Sequence, residues 1–153
     1  MATMTVIRSI HAPAGVVFQT VADAKRFAQA ISGVTKVEVV SEAPSGVGTR
    51  FRQSRLMNGK ETTMEFEVTE YVKNERVRIV NETHGTIWDS LFTLAPSNGS
   101  TTLTMRMETR SLRLLPRLLM PLVCLFIKKA VEKDIDAVKT FCEGRQARPT
   151  AEH

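Results

Sequence analysis

Apolar residues recur with period two along most of the first 110 residues and with period close to four along the last third of the chain. The first pattern predicts strands and the second an amphipathic helix. Residues 3–10 alternate, with Val6, Ile7 and Ile10 as a first strand. After His11-Ala12-Pro13, where proline suits a helix start, Val16, Val17, Thr20 and Val21 fall at helical spacing. Asp23 is placed to cap a second short helix carrying Phe27, Ala30 and Ile31, and Gly33 closes the helical stretch. Six further strands follow at 34–42, 49–57, 61–72, 76–83, 86–95 and 100–110. Asn58-Gly59, Lys73-Asn74 and Pro96-Ser97-Asn98-Gly99 are turn signals between them.

The remainder reads as one helix starting near Pro116 or Pro121. Val123, Ile127, Val131, Ile135, Val138 and Cys142 step by four, four, four, three and four, a continuous apolar stripe. Lys128, Lys129, Glu132, Lys133, Asp136 and Lys139 take the other side, and Gly144 is a stop signal. Residues 1–144 are therefore expected to form one domain, and 145–153, polar and with a proline, a flexible tail. Consecutive hairpins predict an α+β fold: a seven-stranded antiparallel sheet wrapped around a long C-terminal helix, with two short helices between strands one and two.

The local sequence agrees with a known group. Ala12-Pro13-Ala14 with Val17-Phe18 opens the first helix, and Ser32-Gly33-Val34 enters the second strand. Gly46-Val47-Gly48-Thr49-Arg50-Phe51 opens the third strand, and Phe92-Thr93-Leu94-Ala95-Pro96 closes the sixth. In this order, over residues 3–144, the chain resembles the START-like superfamily, also called SRPBCC or the Bet v-like helix-grip fold. Within it, the chain is similar to the bacterial polyketide cyclase/dehydrase-like proteins. The resemblance implies a hydrophobic ligand held between sheet and helix, and it brings no universal catalytic residue.

Composition narrows the chemistry. The 153 residues are 42% hydrophobic and 24% charged, with a net charge of +5. The basic residues are scattered, at Arg50, Arg52 and Arg55, at Arg76 and Arg78, and at Lys128, Lys129 and Lys133. No aromatic ladder accompanies them, so a nucleic-acid partner is not expected. The first ten residues, MATMTVIRSI, carry no secretory pattern. Cys124 and Cys142, ~27 Å apart along one helix, are out of disulfide reach and suit a reducing cytoplasm. The three histidines show no metal-ligand spacing, and Gly46-Val47-Gly48 leads into a strand and not a helix, so neither a metal nor a nucleotide cofactor is expected.

Twelve residues are candidates for a ligand-binding lining: Phe51, Gln53, Arg55, Met64, Phe66, Trp88, Phe92, Met105, Met107, Ile127, Val131 and Asp134. Trp88 shares a strand face with Ser90, Phe92 and Leu94, as a cavity wall or an ordinary core aromatic. The methionines suit an adaptable pocket or simple gap filling. Asp134 falls about 20° from Ile127, inside the apolar stripe. It either serves a ligand, as hydrogen-bond acceptor or general acid/base, or pairs structurally with an inward arginine such as Arg55. Arg55 itself either meets an anionic ligand group or reaches solvent from the strand end.

Binding or transport of a small hydrophobic molecule (a lipid, quinone or polyketide-like ring system) is the leading expectation, without catalytic residues. A cyclase/dehydratase-type enzyme using Asp134, His84 or Arg55 is the alternative. A third reading rests on residues 112–127, where eleven of sixteen are Leu, Met, Val, Phe or Ile. That stretch is too short and too broken by proline and arginine for a membrane span, and serves as a lid, a peripheral membrane or protein contact, or a buried helix entry.

Overall fold

A computed structural model describes residues 2–43, 45–57, 59–83, 85–111 and 120–147. The order is β1 (Ala2–Ile10), α1 (Ala14–Ala22), α2 (Ala24–Ala30), β2 (Val34–Val39), β3 (Arg50–Met57), β4 (Lys60–Val72), β5 (Arg76–Thr83), β6 (Thr86–Ser97), β7 (Ser100–Ser111) and α3 (Met120–Ala147). The strands form one antiparallel sheet in the order β1-β7-β6-β5-β4-β3-β2. Every neighbour except β1–β7 is a sequential pair, so β1 and β2 are the edges and α1–α2 is the bridge between them. This is the helix-grip fold expected from the pattern.

Local chemistry sets the joints. Asp23 accepts from the backbone N–H groups of Lys25 and Arg26 at 2.9 and 3.2 Å, which starts α2. Asn98 and Gly99 both have positive φ, 51° and 81°, the geometry of a two-residue hairpin turn. The turn is therefore tighter than the four-residue signal suggested, and Pro96 and Ser97 stay in β6. Register shifts at Val34/Lys36 and Val68/Glu70 bend the sheet. Gly33 has φ 86°, and a Cβ there would approach the Leu56 carbonyl oxygen to 3.1 Å. Leu56 N–H donates to the Gly33 carbonyl at 2.8 Å, so this glycine lets the α2–β2 corner close onto the end of β3.

Two further boundaries differ from expectation. β2 ends at Val39, not near Glu42, because Ser41 turns back and its hydroxyl accepts from Arg50 N–H at 2.9 Å. α3 runs through Gly144 to Ala147. Gly144 is exposed and has no positive φ, so it costs about 1 kcal/mol relative to alanine without breaking the helix. The expected features at Asn58, His84, most of the leucine-rich segment (112–119) and the end of the tail (148–153) lie outside the described residues.

The core is filled at one end of the sheet. Val17, Phe18 and Val21 of α1, Ile135, Val138 and Cys142 of α3, and Val6, Ile10, Leu94 and Leu103 of the sheet are all buried. Phe18 meets Tyr71 edge-on at 5.1 Å. The convex face is polar and its arginines are cancelled across strands. Arg52 stands opposite Glu65 and pairs with it, and Arg50 joins the same carboxylate. Glu70 takes Arg76 and Arg78, and Arg78 also reaches Asp89 at 2.8 Å. These cross-strand pairs account for the arginines of β3 and β5 other than Arg55.

α3 is held from both sides. On one flank Arg8 of β1 meets Asp136 at 2.7 Å and Glu132 at 3.3 Å, and Lys139 Nζ donates to the Ser9 carbonyl at 2.7 Å. Glu143 accepts from His11 N–H at 2.9 Å. On the other flank stands Arg55 of β3, described below.

Candidate ligand cavity

Beyond Ile135, toward the N-terminal half of α3, the described residues leave the space between helix and sheet unfilled. It forms a cavity of ≈ 360 Å³. Such a volume falls in the range of small-molecule pockets. The geometry follows from strand periodicity: β3 contributes Phe51, Gln53 and Arg55, β4 Met64 and Phe66, β6 Trp88, Ser90 and Phe92, and β7 Met105 and Met107, each at alternate positions. α3 roofs it with Ile127, Val131 and Asp134. All twelve residues singled out in the sequence therefore face one space.

Others were not singled out. Val21 and Phe27 close the end near α1 and α2, and Ile79, Asn81 and Thr83 form the inward face of β5. The alternation Val77, Ile79, Asn81, Thr83 was available in the sequence, but an asparagine and a threonine at inward positions do not announce themselves as lining. Ser90 was on the right face, yet small.

The lining is chemically divided. At one end Phe51 and Phe66, opposite each other in the register, stack at 5.2 Å, and Phe27 meets Phe92 edge-on at 6.4 Å. The polar groups gather where β3 ends and where β5 turns into β6. There Arg55 and Asp134 form a bidentate pair: Nη1 donates to Oδ2 at 2.8 Å and Nη2 to Oδ1 at 2.6 Å. Arg55 Nε donates to the Ser32 carbonyl at 3.2 Å. All three guanidinium nitrogens are thus engaged. The side chains are 20% and 16% exposed, which makes this the most enclosed of the ion pairs among the described residues. The hydrogen bonds that Arg55 donates to Asp134 raise the Arg55 pKa above its ordinary value, and burial only partly opposes them. Of the two roles open to Asp134 and Arg55 in the sequence, the structure brings them together as a pair.

Among the described residues, no other ionisable side chain lines the cavity, and no cluster of His, Cys, Asp and Glu could hold a metal. His11 Nδ1 lies 2.9 Å from Ser100 Oγ, but Glu143 meets the His11 backbone and not its ring, and the cluster is outside the cavity lining. No described helix is long and apolar enough to cross a membrane.

With the cavity and grip in place, the chain can be set beside known proteins. The family model described as polyketide cyclase / dehydrase and lipid transport matches residues 1–143. The chain belongs to this family. No curated protein matches it in sequence. A START superfamily protein from Mycobacterium smegmatis superposes with a TM-score of 0.77 at 14% identity, over 93% of this chain and 97% of that one. The di-domain ARO/CYC protein BexL from the BE-7585A biosynthetic pathway gives 0.78 at 16%, over 92% of this chain and 46% of that one. Ara h 8.0201 gives 0.76 at 12%, over 92% and 97%. At such identities the likeness is one of fold. It places this family member in the START-like, helix-grip architecture.

Proposed function

We propose that this protein binds and carries a small, mainly apolar molecule in the cavity between its sheet and α3. The supporting observation is the lining itself: an aromatic and methionine-rich concave wall whose only two ionisable groups among the described residues neutralise each other. Burying apolar ligand surface there gains about 25 cal/mol per Å² before the costs of association. The methionines Met64, Met105 and Met107 can adjust to the outline of what enters.

The same pair bears on catalysis. A carboxylate held by a bidentate arginine is stabilised in its charged form and is a weaker proton acceptor for a substrate, and both Asp134 oxygens accept from Arg55. Carriage is therefore better supported than the cyclase-type reading. Trp88 lines the cavity and is the chain's single tryptophan, so its fluorescence isolates events at the site. Titrating apolar compounds should change that emission saturably, and native mass spectrometry of freshly purified protein should reveal a co-purified small molecule. Emission unchanged by fatty alcohols, fatty acids and polycyclic aromatics alike, with no adduct in the mass spectrum, would refute binding.

A further inference from the structure

The polar wall of the cavity contains groups that pair with no other described residue. Gln53 is 5% exposed and lines the cavity, and its side-chain amide makes no hydrogen bond to another described residue. Among the described residues no side-chain polar atom is both sealed and unpaired, so this amide keeps its donors and its acceptor open to the cavity. A ligand group that enters there can meet it directly. Asn81, 7% exposed, lies two strands away across Met64. Its Nδ2 donates to Thr83 Oγ1 at 2.8 Å and toward Met64 Sδ at 3.7 Å, which leaves its carbonyl oxygen as an acceptor. Trp88, directly opposite Asn81 in the register, adds one indole N–H without a partner among the described residues.

From this arrangement, and building on the binding function proposed above, we infer that Gln53 and Asn81 select ligands by an uncharged hydrogen-bonding group. The group is a hydroxyl or carbonyl oxygen on an otherwise apolar ring system. Gln53 supplies both a donor and an acceptor, Asn81 an acceptor and Trp88 a donor. That set suits an alcohol, phenol or ketone, and none of its members carries charge. A carboxylate or phosphate head would instead need a cation. The one cation in the lining among the described residues is Arg55, whose charge is already balanced by Asp134 in a bidentate pair. An anionic head would lose its water without gaining a counter-ion. The two aromatic pairs at the far end hold the ring.

The test compares 2-naphthol, naphthalene and 2-naphthoate by equilibrium dialysis at neutral pH against the full chain. One net hydrogen bond is worth about fivefold in affinity. 2-Naphthol should therefore bind about fivefold or more tighter than naphthalene, and 2-naphthoate more weakly than 2-naphthol. Gln53→Leu should bring 2-naphthol down to the level of naphthalene while naphthalene binding persists. Asn81→Leu is the second variant and should narrow the same gap should Gln53→Leu not fold. Preference for 2-naphthoate, or an unchanged 2-naphthol preference in both variants, overturns the inference. Equal binding of all three compounds removes the selection but leaves apolar binding standing. Failure of all three to bind, together with silent Trp88 titrations, removes both.

Discussion

Asp134 sits in an apolar stripe because Arg55 waits for it on the facing strand. Two charges taken partly out of water are tolerated when their geometry is bidentate and a further guanidinium N–H is met, as it is here by the Ser32 carbonyl. Removing one partner strands the other. Asp134→Ala should therefore destabilise by about 2–4 kcal/mol, somewhat below a sealed pair because both side chains retain some solvent contact. The double variant Arg55→Leu with Asp134→Leu should recover most of that loss, since no unpaired charge remains. Urea unfolding of Arg55→Leu, Asp134→Leu and their double variant measures the coupling. A single-variant loss no larger than about 0.5 kcal/mol, the range of an ordinary surface change, would show that the pair is not structural. Gln53 predicts a different outcome. Gln53→Leu should leave the stability of the ligand-free protein within about 0.5 kcal/mol, because the amide is open to the cavity and no internal hydrogen bond is lost.

α3 is a helix by its own periodicity but is positioned by its flanks. The β1 side is a row of exposed ion pairs and backbone contacts, each worth about 0.2–1 kcal/mol and weakened by salt. Within it Glu143 has its pKa lowered, first by the hydrogen bond from His11 N–H and next by Lys139, with burial opposing. A carboxyl held below its ordinary value stabilises the fold above that value and loses the contribution as pH falls through the lowered one. Glu143→Gln should therefore melt earlier than the unmodified chain at pH 7, and the two melting curves should converge in acid, below the ordinary glutamate value of 4.5. A difference that persists undiminished in acid would mean that Glu143 acts through packing and not charge. This scale also shows what the sequence made legible. The elements and their order follow from period two giving way to period four, and the lining follows from choosing the strand face that carries the aromatic residues. The end of α3 did not follow, because a glycine signals a stop only where the backbone needs a positive φ, and Gly144 has none. Nor did Asn81, whose inward position is plain in the pattern of β5 but whose polarity argues against it until the cavity is seen.

At the scale of the whole molecule, one end of the grip is a packed core and the other is hollow. A hollow sacrifices dispersion contacts that a filled interior would make, and large apolar voids destabilise accordingly. The protein should then be most stable when the void is occupied. A ligand present at 100 times its dissociation constant contributes about 2.7 kcal/mol. For a domain of this size each kcal/mol shifts Tm by about 2–4 °C, so saturation should raise Tm by about 5–10 °C. The converse test fills the space from within. Ser90 stands mid-strand on the concave face between Ile79 and Met107, where a larger side chain would project into the void and not into the packed end. Ser90→Phe should raise the Tm of the ligand-free protein and abolish the ligand-induced shift, because the substituted ring occupies the ligand's place. Thermal melts of both chains, with and without 2-naphthol, distinguish this from a generic effect. If Ser90→Phe instead lowers Tm and leaves the shift intact, the ligand sits elsewhere, and the void between β6 and α3 is not the binding site.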